Sequence, residues 1–116
     1  MDPLAQNQPT LACDLTVFEP DDRERYRQLS RELFAACQKT RELPEGLAFQ
    51  LPCDDSWILK TARWVTQERL CCPFLSFELA FEGNHNSMEL RLSGPPGTKE
   101  FLRAELSALR APNPTD

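Results

Sequence analysis

Long apolar runs are missing from this chain. No stretch approaches the roughly 20 residues a membrane-spanning helix needs, and the opening Met1 to Leu11 has neither the basic segment nor the apolar core of a signal peptide. Neither a membrane role nor a secretory leader is expected, and the cytoplasm is the expected compartment. Positive charge is also scarce. Thirteen Lys and Arg stand against 18 Asp and Glu, for a net charge of -5. That field repels phosphate backbones and anionic lipid, so nucleic acid and membrane surfaces are not expected partners. Histidine is reduced to His85 alone. It falls in a polar loop where an exposed, inert side chain is the simplest expectation, and any Cys-His catalytic pair would have to use it. A phosphate cradle is missing as well, because Gly94-Pro95-Pro96-Gly97 lacks the Lys and Ser/Thr of a P-loop and reads as a turn. No internal repeat is strong enough to use.

What is present suits one packed domain. The 116 residues are 41% hydrophobic and 27% charged, enough for a single two-layer core and too few for two. Residues 1–12 lack periodicity and the tail 111–116 is polar and Pro-rich, so both ends are expected to be loose around a domain at 13–110.

Leu15 to Glu19 alternates apolar and polar residues up to Pro20 and predicts a first strand. Asp21 or Asp22 can cap a helix whose stripe is Tyr26, Leu29, Leu33, Ala36 and Cys37. Its charged positions, from Arg23 to Glu32, read as a solvated face. Leu43-Pro44-Glu45-Gly46 breaks it, and Leu47, Phe49 and Leu51 alternate to form a second strand before Pro52. Asp54, Asp55 and Ser56 offer caps for a second helix, which must stop at Cys72 because Pro73 follows. Trp57 and Trp64, two turns apart, are expected to pack on the sheet. Phe77 to Glu82 and Met88 to Leu92 form a hairpin across Gly83 to Ser87. Gly97-Thr98 then opens a last helix with Phe101, Leu102, Leu106 and Leu109 near one stripe. The expected order is β-α-β-α-β-β-α. Strand alternation predicts an α+β two-layer sandwich, one mostly antiparallel sheet with helices on one face.

The concentrated chemistry lies in Glu68-Arg69-Leu70-Cys71-Cys72-Pro73-Phe74. A reducing compartment and an odd total of five cysteines predict thiols at Cys13, Cys37, Cys53, Cys71 and Cys72. A bond between neighbouring Cys71 and Cys72 would be a small strained ring, which leaves a switchable vicinal disulfide as a minor option. Two adjacent thiolates can chelate a soft ion, Cu(I), Zn(II) or Hg(II), where one cannot. The spacing does not match the C-x2-C of a closed zinc finger. Further ligands are therefore needed: Glu68, one turn before Cys72, Cys13 and Cys53 at element edges, or the same pair in a second copy of a homodimer. Cys37 lies on the apolar stripe and reads as a small core residue. The negative end of the helix disfavours free thiolates, although Arg69 and Lys60 could oppose it; a bound cation would deprotonate the thiols. That favours ligand over nucleophile, and no catalytic residue is assigned. Two other readings stay open: a structural or interaction domain with buried cysteines, and a thiol redox protein.

Through Glu68-Arg69, Cys71-Cys72-Pro73-Phe74, Leu90-x-Leu92-x-Gly94-Pro95 and Gly97-x-x-x-Phe101-Leu102, the chain resembles short bacterial proteins of unknown function built around an E-R-x-C-C-P-F core. The resemblance spans roughly residues 12 to 109 and implies an association with heavy-metal handling.

Overall fold

The computed structural model describes residues 11–83 and 86–110; residues 1–10, the tail 111–116 and His85 lie outside it. A short 3-10 turn, Leu15–Val17, precedes α1 (Pro20–Ala35). Strands β1 (Lys39–Leu43) and β2 (Gly46–Pro52) follow, then α2 (Asp55–Cys71), β3 (Ser76–Phe81), β4 (Ser87–Ser93) and α3 (Thr98–Arg110). The four strands form one sheet in the order β1-β2-β4-β3, antiparallel throughout.

Alternation sets which face is covered. Leu47, Phe49 and Leu51 of β2 pair with Leu92, Leu90 and Met88 of β4, and all six are buried against Leu33 and Phe34 of α1, Trp64 of α2, and Leu102 and Leu106 of α3. The intervening positions carry the polar face, where Glu89 lies between Arg41 (2.7 Å) and Arg91 (2.7 Å). The Arg41 hydrogen bond in particular holds the Glu89 carboxyl down at about 2. The expected class, an α+β domain with helices covering one face of an antiparallel sheet, is the class observed.

The fourth strand is found at a different place from the one the alternation predicts. Leu15–Val17 turns instead of extending because the Asp14 carboxylate accepts from the Thr16 backbone N–H at 3.0 Å. Arg23 then holds the turn, donating through Nε to the Leu15 carbonyl at 3.1 Å and through Nη2 to the Phe18 carbonyl at 3.3 Å. Local side-chain bonds of this kind compete with strand pairing. Pro20 is the first-turn residue of α1, a position that suits its fixed φ and missing N–H; Glu19 is the N-cap, while Asp21 and Asp22 fall inside the first turn. The strand that completes the sheet is Lys-Thr-Arg-Glu-Leu at 39–43, exposed almost throughout. A charged edge strand of this type needs no apolar alternation and resists pairing with other chains.

Trp64 ties the helices to the sheet. Its ring meets Phe34 edge-on at 5.4 Å and Phe77 at 6.3 Å, and its Nε1 donates to Ser30 Oγ at 2.9 Å. Ser30 in turn donates to the Tyr26 carbonyl at 2.9 Å, so the buried polar pair is satisfied. Trp57 is only partly buried and carries Lys60 Nζ 4.8 Å from its ring centre.

Gly46 permits the closest approach in the sheet. A Cβ there would lie 1.9 Å from the Leu92 carbonyl oxygen, a backbone atom that cannot move without breaking the β2–β4 register. Gly46→Ala is expected to cost about 2–3 kcal/mol of unfolding free energy, read from chemical denaturation, by forced overpacking.

Candidate metal centre

Helix α2 builds the site at its last turn. The Asp54 carboxylate caps its start, accepting from the Trp57 N–H at 2.9 Å. After 17 residues the helix ends at Cys71, with Cys72 as C-cap and Pro73 unable to continue it. The Cys72 N–H donates to the Glu68 carbonyl at 2.8 Å and closes the turn. Positions three and four apart share a helix face, so Glu68, Cys71 and Cys72 point inward together and are all buried, while Arg69 and Leu70 are exposed.

The N-terminal segment completes the group. The Asp14 N–H donates to the Cys71 carbonyl at 2.8 Å, which lays the chain alongside the helix end and brings the Cα of Cys13 to 4.7 Å from that of Cys72. Cys13 and Cys72 are joined in a disulfide; Cys37, Cys53 and Cys71 are free. The expectation of five thiols is therefore corrected. The odd count resolves into one bonded pair and three free cysteines, and the pair spans 59 positions instead of adjacent residues. No vicinal bond joins Cys71 to Cys72.

Around the disulfide the donors are close. Cys71 Sγ lies 3.8 Å from Cys72 Sγ and 3.9 Å from Glu68 Oε2, and Cys13 Sγ lies 3.8 Å from Glu68 Oε1. One ligand atom from each of Cys13, Glu68, Cys71 and Cys72 lies within 4.8 Å of all the others. Tyr26 of α1 donates its hydroxyl to Glu68 Oε2. The four donors come from one chain.

Of the predicted ligands, Cys13, Glu68, Cys71 and Cys72 are brought together and Cys53 is not. Cys53 precedes the N-cap of α2, and 17 helical residues place it roughly 25 Å from the other end. Cys37, expected in the core, is half-buried beyond the end of α1, with Sγ 3.4 Å from the Lys39 carbonyl oxygen. Lys60 does not oppose the helix field at the cysteines; it lies three turns back, 3.9 Å from Glu32. Tyr26 was expected only as part of an apolar stripe. The available signal is that a buried tyrosine requires a partner for its hydroxyl.

Burial governs the protonation of the group. It pushes the Glu68 carboxyl up to about 7, with the nearby Glu105 charge raising it further and the hydrogen bonds from Tyr26 and Cys71 opposing. Burial, followed by the Glu68 charge, pushes the Cys71 thiol up to about 12. The Tyr26 hydroxyl is raised as well, by burial and then by Glu68, so it stays protonated and donates to Glu68. A carboxyl whose folded value lies above its unfolded value contributes stability that is full below the unfolded value, near 4.5, and is lost as pH rises through about 7. Between pH 4 and pH 8 the loss amounts to about 3 kcal/mol. Glu68→Gln is expected to flatten that slope in denaturation curves measured across the same range.

Set against known protein families, curated proteins and solved structures, the chain matches none of them. Among the described residues, no helix is long and apolar enough to cross a membrane.

Proposed function

We propose that the reduced protein binds one soft metal ion through Cys13, Cys71, Cys72 and Glu68, and that the Cys13–Cys72 disulfide is the closed state of the same site. One observation carries this reading. Four-coordinate binding with metal–sulfur bonds of about 2.3 Å spaces ligand sulfurs roughly 3.8 Å apart, which is the 3.8 Å separating Cys71 Sγ from Cys72 Sγ. The two Glu68 oxygens lie beside it, Oε1 3.8 Å from Cys13 Sγ and Oε2 3.9 Å from Cys71 Sγ.

The chemistry balances in two stages. Two electrons and two protons from a cellular dithiol convert the disulfide to thiols at Cys13 and Cys72. A soft cation, Cu(I), Zn(II) or Hg(II), then displaces protons from the thiols it binds. The cation supplies the positive charge that Cys71 lacks, which converts a thiol raised by burial into a ligand. Three thiols with one carboxyl suit thiophilic ions and disfavour Mg(II) or Ca(II), which require oxygen ligands. The E-R-x-C-C-P-F resemblance supports the same class of ion, and the cytoplasm would keep the site open.

The test is a thiol count on the reduced chain with and without Hg(II), Cu(I) or Zn(II), in the native sequence and in Cys71→Ser/Cys72→Ser. One equivalent of metal is expected to protect three thiols in the native chain and to lose that effect in the double variant. Equal protection in both would leave a structural domain with buried cysteines as the function of this segment.

A further inference from the structure

A cavity of about 480 Å³ opens beside the cysteine group, walled by α1, α3 and the inner face of the sheet. Phe34, Phe49, Trp64, Phe101, Leu102 and Leu106 supply its apolar lining, and Arg27 and Glu105 also border it. Three polar residues of the lining lie together: Tyr26, Glu68 and Cys13. Glu68 is only 6% exposed and is held there by Tyr26. A cavity of this size, mostly apolar with a few converging polar groups, matches small-molecule sites in general.

The two sulfurs of the disulfide differ in access. Cys13 borders the cavity and is half-buried, whereas Cys72 is fully buried and does not line it. A molecule seated in the cavity therefore borders Cys13 and not Cys72. Disulfide sulfur is an electrophile whose natural attacker is a thiolate, and the walls select the rest of the molecule.

We propose that this cavity admits a small apolar thiol, whose thiolate attacks Cys13 Sγ and opens the Cys13–Cys72 bond. The attacking thiol gives its proton to bulk water. Its sulfur bonds to Cys13 Sγ, the Cys13–Cys72 bond breaks, and both bonding electrons leave on Cys72 Sγ, which then takes a proton from water. The products are a mixed disulfide at Cys13 and a thiol at Cys72, with no net oxidation. The departing Cys72 thiolate emerges 3.8 Å from the Cys71 thiol, near enough for an S–H donor to stabilise it. The apolar substituent stays against Phe34, Trp64 and Leu106. Peptide thiols such as glutathione carry several charges, which a mostly apolar lining bordered by only Arg27 and Glu105 matches poorly. The step depends only on the disulfide and the cavity, so it does not rest on metal binding; within the proposed function it would be the opening reaction.

The test uses the oxidised full chain treated with 2-phenylethanethiol, 2-mercaptoethanol or glutathione at equal thiolate concentration, followed by intact and peptide mass spectrometry. The expected result is a 2-phenylethanethiol adduct on Cys13, formed at least tenfold faster than the glutathione adduct. Ethylbenzene, which carries the same apolar group but no sulfur, is expected to slow that reaction at least fivefold and leave the glutathione rate alone. Leu106→Trp is expected to slow the apolar thiol similarly. Adducts on Cys72, equal rates for the three thiols, or no inhibition by ethylbenzene would overturn the proposal. Metal uptake by the fully reduced chain is measured separately, and its outcome does not depend on any of these rates.

Discussion

Reducing the Cys13–Cys72 bond is expected to lower the unfolding free energy by about 4 kcal/mol, read as a fall in the urea midpoint with little change in the native spectrum. The bond joins residues 59 apart, and closing a loop of that length removes about this much chain entropy from the unfolded state. It also fixes the segment before α1 to the end of α2. Among the described residues, that segment is also held by the Asp14 N–H to Cys71 carbonyl bond at 2.8 Å, by the Arg23 contacts to Leu15 and Phe18, and by the buried Phe18 ring stacked on Tyr26. Cys13→Ser should reproduce the effect of reduction, and reduction should then add nothing further. Cys37→Ser, remote from the bond and half-exposed, should leave the midpoint unchanged.

Adding Zn(II) to the reduced chain is expected to recover most of that loss. A ligand that binds only the folded state stabilises it by about 4 kcal/mol at a thousandfold excess over its dissociation constant. Here the ion would replace the covalent link between the N-terminal segment and α2, since Cys13 and Cys72 lie on opposite sides of it. Cys71→Ser should weaken affinity at least a hundredfold, because a hydroxyl is a poor substitute for a soft sulfur ligand. Cys53→Ser should change nothing, being at the far end of α2. Binding releases thiol protons, so affinity must rise with pH. Glu68 adds to that slope below about 7, the value to which burial raises it, and Glu68→Gln should reduce it there.

Much of the frame was legible in the sequence because two periodicities were strong. The inward triplets Leu47, Phe49, Leu51 and Met88, Leu90, Leu92 alternate cleanly, and the stop of α2 follows from Pro73 directly. The edge strand was not legible. Lys39 to Leu43 has no apolar face, since one side looks to solvent and its position comes only from pairing with β2. Leu15 to Glu19 misled for the converse reason: its alternation is real, but Asp14 and Arg23 capture the backbone that a strand would use. Three of the site residues, Glu68, Cys71 and Cys72, share a helix face that spacing alone predicts. The distant partner Cys13 could be named as a candidate but not distinguished from Cys53, because sequence does not show which loop returns to which end of a helix. The disulfide was missed for another reason: the expected reducing compartment and the odd cysteine count both pointed to free thiols.

The proposed site is tested most directly by X-ray absorption at the zinc edge on the fully reduced chain loaded with one equivalent of Zn(II). Three sulfur neighbours at about 2.3 Å and one oxygen neighbour at about 2.0–2.2 Å are predicted, with the sulfur count falling to two in Cys71→Ser. A shell of nitrogen and oxygen alone, or a sulfur count unchanged by Cys71→Ser, would contradict the account.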